Sequence, residues 1–112
     1  MQLELKITQR DIPDSAAVEA IVRKHVRKLE HLCRHIISCR VSIEMQGKHK
    51  QQGQLFAAHI DLKVPGAEIV SNRGHEHVDV FVAIRDAFET VRRRLEDYVR
   101  EEQDLAKVHP AT

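Results

Sequence analysis

The chain has 112 residues, with 18 Lys and Arg against 17 Asp and Glu, eight His, two Cys and a net charge of +1. That length makes one domain able to bury its own core. A charge so near zero excludes a uniformly basic, nonspecific nucleic-acid binder but leaves room for a local basic patch. No apolar run approaches the roughly 20 residues that cross a bilayer, and the start, MQLELKIT, has neither a basic nor a long apolar leader region. The sequence therefore predicts a cytoplasmic protein whose Cys33 and Cys39 are buried, reduced thiols.

Gln2 to Thr8 alternates, with Leu3, Leu5 and Ile7 on one side and Gln2, Glu4 and Lys6 on the other, the pattern of a half-buried strand. Pro13 ends it, and Asp14 or Ser15 is placed to cap a helix. From Ala16 to near His35 the period becomes helical. Val18, Ile21, Val22, Val26, Leu29, Leu32 and Cys33 form an apolar stripe, and Arg23, Lys24, Arg27, Lys28, His31 and Arg34 form a basic back. Between Glu19 and Arg40 six Arg and Lys stand against two Glu, so the positive charge of the chain is concentrated here.

Ile37 to Met45 alternates again, with Ile37, Cys39, Val41, Ile43 and Met45 facing inwards. A strand, a helix and a strand make a βαβ unit with parallel strands and a right-handed crossover. Gly47 to Gly53 is a polar loop carrying Lys48, His49 and Lys50. Gln54 to Val64 is a third strand, with Phe56, Ala58, Ile60, Leu62 and Val64 inwards. Pro65-Gly66 is a turn. Ala67 to Arg73 is a fourth strand, with Ile69, Ala67 and Ser71 on the covered face, and Gly74 to His77 is a loop. Asp79 starts a last helix whose stripe is Val80, Ile84, Ala87, Phe88, Val91, Leu95 and Tyr98. Its outer face offers three i,i+4 ion pairs, Glu89–Arg93, Arg92–Glu96 and Arg93–Asp97.

The order β-α-β-β-β-α predicts an α+β fold, a four-stranded mixed sheet with two helices packed on one face and the other face wet. The domain spans residues 1–103, and 104–112 form a flexible tail.

The chemistry-bearing residues form no catalytic set. No nucleophile elbow, phosphate loop, zincin helix or dinucleotide fingerprint is present, and no nucleophile, base and orienting group come together, so the sequence predicts no enzyme and no cofactor. His31 and His35 are four apart but Cys33 between them points to the core, which leaves no zinc ligand set and no metal site. His25 falls beside the apolar stripe, as a partly buried histidine. Clustered cations on a rigid helix surface suit RNA phosphates. Aromatic stacking on single strands does not fit, because Phe56, Phe81, Phe88 and Tyr98 fall mostly on core faces.

The last helix, DVFVAIRDAFETVRRRLEDY, carries a D-x-aromatic-x-A-I pattern at Asp79, Phe81, Ala83 and Ile84, followed by Val91, Arg93, Arg94 and Leu95. The first helix carries Lys28-Leu29-Glu30. With the order of elements, these resemble the ribosome hibernation-promoting factors, also called ribosome-associated inhibitors, over roughly residues 2–100. The resemblance implies a stress-response translation regulator. It would bind the small ribosomal subunit and its ribosomal RNA with basic residues of both helices and sterically exclude messenger and transfer RNA. Longer members carry an added C-terminal domain, for which this length leaves no room, so the short form is expected. The carry-over holds for Lys28, Arg93 and Arg94 and extends to the neighbouring basic residues, giving Arg23, Lys24, Arg27, Lys28, Arg92, Arg93 and Arg94 as RNA-binding residues. The sequence departs from the short-form pattern at the end of helix two. There Glu96, Asp97, Glu101 and Glu102 replace a lysine-rich run, and His25 replaces a lysine. That acidic end supports an alternative: a non-enzymatic interaction module with a basic protein partner, or self-association through an open sheet edge. Neither reading involves a membrane or a small-molecule substrate.

Overall fold

A computed structural model describes residues 3–12, 15–46, 55–71 and 75–108. In chain order it has β1 (Glu4–Arg10), α1 (Ala16–Leu32), β2 (Ser38–Gln46), β3 (Leu55–Val64), β4 (Ala67–Val70), β5 (His75–His77) and α2 (Val80–Val108). The sheet order is β1-β2-β3-β4, with β5 also on β3. β1 is parallel to β2, and the other pairs are antiparallel. The α+β fold expected from the alternation is present, with five strands where four were expected. The 74–77 stretch read as a loop contains β5. Pro13, Asp14 and the 47–53 loop lie outside the described residues.

Ser15 starts α1. Its backbone is extended (φ −127°, ψ 120°) and its Oγ accepts the Val18 N–H at 3.2 Å, satisfying one of the orphan donors of the first turn. The helix ends three residues short of His35. Cys33 adopts an extended conformation (φ −143°) while still donating its N–H to Leu29 at 2.9 Å. The chain then drops towards the sheet, and here the simple alternation fails. Ile36 is 5% exposed and Ile37 is 50% exposed. The Ile37 N–H reaches the Lys63 carbonyl, although Ser38 is the residue in register with Lys63. Two residues of the chain thus address one residue of β3, and the local kink turns Ile37 outwards and Ile36 in.

The core lies between the sheet and both helices. α1 contributes Val18, Val22, Val26 and Leu29, and α2 contributes Ala83, Ile84, Ala87, Phe88, Val91 and Leu95. These meet Cys39, Val41, Ile43, Ala58, Ile60, Leu62, Val64 and Ile69 from the strands. The two alanines let α2 sit close over β3 and β5, while the larger Val and Leu of α1 hold it further from the strands. Both cysteines are buried and free, and burial beside Asp61 pushes the Cys39 thiol up to about 12, so it stays a protonated, inert core group. The Tyr98 hydroxyl donates to the Pro65 carbonyl at 2.8 Å, fastening α2 to the β3–β4 turn, where Gly66 supplies a φ of 80°. α2 continues to Val108, past the end expected near Gln103. No described helix is long and apolar enough to cross a membrane.

β5 exists because the outer edge of β3 is shared. β4 pairs with Asp61–Val64 and β5 with Phe56–Ala58. Between these two pairings β3 leaves His59 and Ile60 to be met by other partners. Ser71 heals the ladder at this point. Its N–H donates to the Ile60 carbonyl and its Oγ accepts the Ile60 N–H, both at 3.0 Å, while it is only 3% exposed. Ala67, expected on the covered face with Ser71, is exposed. Replacing Ser71 by Ala leaves the Ile60 N–H buried without an acceptor, which should lower unfolding free energy by about 1–3 kcal/mol. A urea melt would read it as a lower midpoint at unchanged slope.

Candidate nucleic-acid interface

All seven basic residues named from the sequence are exposed: Arg23, Lys24, Arg27 and Lys28 on α1, and Arg92, Arg93 and Arg94 on α2. They do not form one patch. On α1 they share one outward-facing arc of the helix, with Arg23 and Arg27 turned towards β1 and Lys24 and Lys28 turned towards α2. Arg23 and Arg27 line a shallow groove with Leu3 and Leu5 of β1, on the outer flank of the domain, together with Val26 and Glu30. Lys24 and Lys28 flank His25, whose ring stacks on Phe88 of α2 at a centroid distance of 4.9 Å and an interplanar angle of 11°. They therefore border the groove between the helices. Contacts advance in the same direction along both helices, from His25–Phe88 to the cleft shared by Leu32, Cys33, Tyr98 and Val99. The helices run parallel, and the later turns of each lie side by side.

Three consecutive residues of a helix fan over about 200°, so Arg92, Arg93 and Arg94 cannot share a face. With Phe88 facing α1, Arg92 lies on the α1 side of α2, Arg93 points away from the sheet, and Arg94 lies on the opposite flank. Arg92 is already engaged with Glu96 at 2.8 Å, the one expected i,i+4 pair that forms. Glu89–Arg93 and Arg93–Asp97 do not form among the described residues, and Asp97 instead meets Arg100 at 3.6 Å. On α1, Arg23 approaches Glu19 at 4.0 Å. These pairs are exposed, so each holds its side chain only weakly and exchanges readily for a phosphate.

The start of α2 explains its signature. The Asp79 Oδ1 accepts the Phe81 N–H at 2.9 Å, and the His77 Nδ1 accepts the Asp79 N–H at 3.0 Å. Asp79 is therefore a capping residue. Ala83 and Ile84 are fully buried against the sheet. Phe81, expected on a core face, is 44% exposed. It lies three residues before Ile84 and so falls towards the edge of the stripe, a displacement that period alone does not reveal. The far end of α2 carries exposed Glu101, Glu102, Asp104 and Leu105.

Residues 5–103 match the family described as sigma 54 modulation protein / S30EA ribosomal protein. The chain belongs to this family. The resemblance to hibernation factors drawn from the order of elements and the α2 pattern is borne out by that match. Among solved structures, the fold is similar to the N-terminal domain of Protein Y from Thermus thermophilus, with a TM-score of 0.70 and 19% identity over 88% of this chain and 99% of that one. It is equally similar to a ribosomal subunit interface protein from Coxiella burnetii, with a TM-score of 0.70 and 14% identity over the same shares. Comparison with curated protein sequences finds no match. The family match spans both helices, and Asp79, Ala83 and Ile84 lie within it.

His25 connects this surface to pH. Burial is the main influence lowering its pKa from 6.5, with Lys28 and Lys24 adding to it and Glu89 opposing. A lowered folded-state value means the unfolded chain takes up the proton first as pH falls. The stabilisation from the neutral ring is therefore complete above pH 6.5 and is lost as pH drops through the lower folded value. Thermal melts from pH 7.5 to about 5 should show a fall in Tm for the native chain that is smaller in His25→Phe, which keeps the stack without the charge.

Proposed function

We propose that the protein is a ribosome-associated inhibitor of translation. It docks on the small ribosomal subunit through the outer surface of its helix layer and excludes messenger and transfer RNA by occupying their space. The observation that carries this reading is the family match together with the exposure of Arg23, Lys24, Arg27, Lys28, Arg92, Arg93 and Arg94 on the two helices. Two adjoining cationic rows run along the outer arc of α1, Arg23 and Arg27 towards β1 and Lys24 and Lys28 towards the groove with Arg92. Such rows reach phosphates on two different strands of folded RNA, a recognition by shape and charge that needs no base reading. The stacked rings of His25 and Phe88 and the buried stripes keep the rows in fixed relation, so no ordering is required on binding. The activity is steric and needs no catalytic group, and it places the protein in the cytoplasm with the ribosome.

Charge reversal of Arg27 and Lys28 to Glu touches both rows and no buried group. It should weaken co-sedimentation with purified small subunits by about tenfold or more at low salt, with unchanged circular dichroism, and reduce the slope of affinity against salt. Binding by the native chain should be salt-sensitive and should be lost when transfer RNA fills the subunit. Unchanged co-sedimentation of the double variant would sink this surface assignment. The exposed acidic end of α2 favours a second reading, contact with a basic protein. Reversal of Glu101 and Glu102 to Lys should strengthen binding to a phosphate-lined site and weaken binding to a basic protein, so the direction of change in the same assay separates the two.

A further inference from the structure

β1 is the outer strand of the sheet, and among the described residues nothing pairs with its free edge. In a parallel pair the backbone groups of alternate residues point to opposite sides. The Glu4 N–H donates to the Ile37 carbonyl on the β2 side, so Glu4, Lys6, Thr8 and Arg10 address β2. Leu5, Ile7 and Gln9 therefore present their N–H and C=O groups to the open edge. Their side chains lie on the helix side and are only half-buried, because nothing covers that edge.

We propose that this edge pairs with the same edge of a second copy, antiparallel about a two-fold axis at Ile7, to make one continuous sheet across a dimer. Among the registers that pair five or more residues of β1, charge selects one, and it favours a second copy as the occupant. Only registers that match outward-pointing residues to outward-pointing residues satisfy the edge. Centring on Lys6 sets Lys6 against Lys6 of the second copy. Centring on Thr8 sets Lys6 against Arg10 of the second copy. Both place like charges directly opposite, which is destabilising. Centring on Ile7 sets Glu4 against Arg10 of the second copy, twice by symmetry, and Lys6 against Thr8 of the second copy. On the helix side it sets Ile7 against Ile7 of the second copy and Leu5 against Gln9 of the second copy. Each of the outward pairs exchanges two main-chain hydrogen bonds. Arg10 already faces Glu44 across β2, so in the dimer it sits between two carboxylates.

The flank of α1 above the edge carries both signs, with Arg23 and Arg27 beside Glu30 and Glu19. It does not oppose the approach of an identical flank by uniform charge. β1 contains no proline, and its charges Glu4, Lys6 and Arg10, which would block other pairings of the edge, meet opposite or neutral partners in the favoured register. A strand of seven residues buries less surface than a permanent interface needs, so the dimer belongs to the weak, concentration-dependent class.

Sedimentation equilibrium of the full chain over a wide concentration range tests this. The native chain should show a monomer–dimer equilibrium. Arg10→Glu and Glu4→Arg, both at exposed positions, should each weaken dimerisation by about tenfold, since each turns two attractive contacts into repulsive ones. The combined variant, Glu4→Arg with Arg10→Glu, restores opposite charges and should recover the native constant. Circular dichroism and Tm of each variant confirm that the fold is kept. A chain that stays monomeric throughout, a dimer indifferent to both single changes, or a combined variant that fails to recover would each overturn the proposal.

Discussion

The rotation of each helix about its own axis is the constraint on which the surface of this protein depends. α1 and α2 each bury one stripe, and the stack of His25 on Phe88 locks the two stripes to each other. A helix turned by one residue would move every charge by about 100°. With the rotation fixed, Lys24 and Lys28 border the groove and Arg23 and Arg27 border β1. The placement of cations is thus decided by apolar residues. An apolar-to-polar change in the stripe would scramble the surface even where it left the charges in place.

Much of this was readable from residue order. Period-two alternation located four strands, period 3.6 located both helices, and of the two cap candidates, Asp14 and Ser15, the structure has Ser15 at the first cap. What escaped has common physical causes. Ile36 and Ile37 exchanged places because a backbone kink broke the parity that alternation assumes. β5 escaped because a three-residue strand has no period to read, and its existence depends on the neighbouring strand being long enough to hold two partners. Phe81 looked like core because a helical stripe has soft margins.

The candidate site was legible as a list of residues and not as a shape. A run such as Arg92-Arg93-Arg94 reads as one cluster along the chain, but a helix spreads it over more than half its circumference. Arg23, Lys24, Arg27 and Lys28 do share the outer arc of α1, spread between the β1 flank and the α2 groove. Linear charge density is thus a fair guide on α1 and overstates the density of any one face on α2.

α2 is 29 residues long, about 43 Å, and its last turns carry acidic side chains well away from the cations of α1. A net charge of +1 hides this separation, which gives the helix layer a charge gradient between α1 and the far end of α2. In the field of a large polyanion such a molecule feels a torque before it feels a contact. On the proposed function it would turn its acidic tip outwards and present the α1 cations, so that fewer encounters would be wasted in the wrong orientation. Salt would shorten the range of that torque together with the attraction, since both act over the Debye length. On that reading the acidic tip, which costs some attraction, would act as a vane.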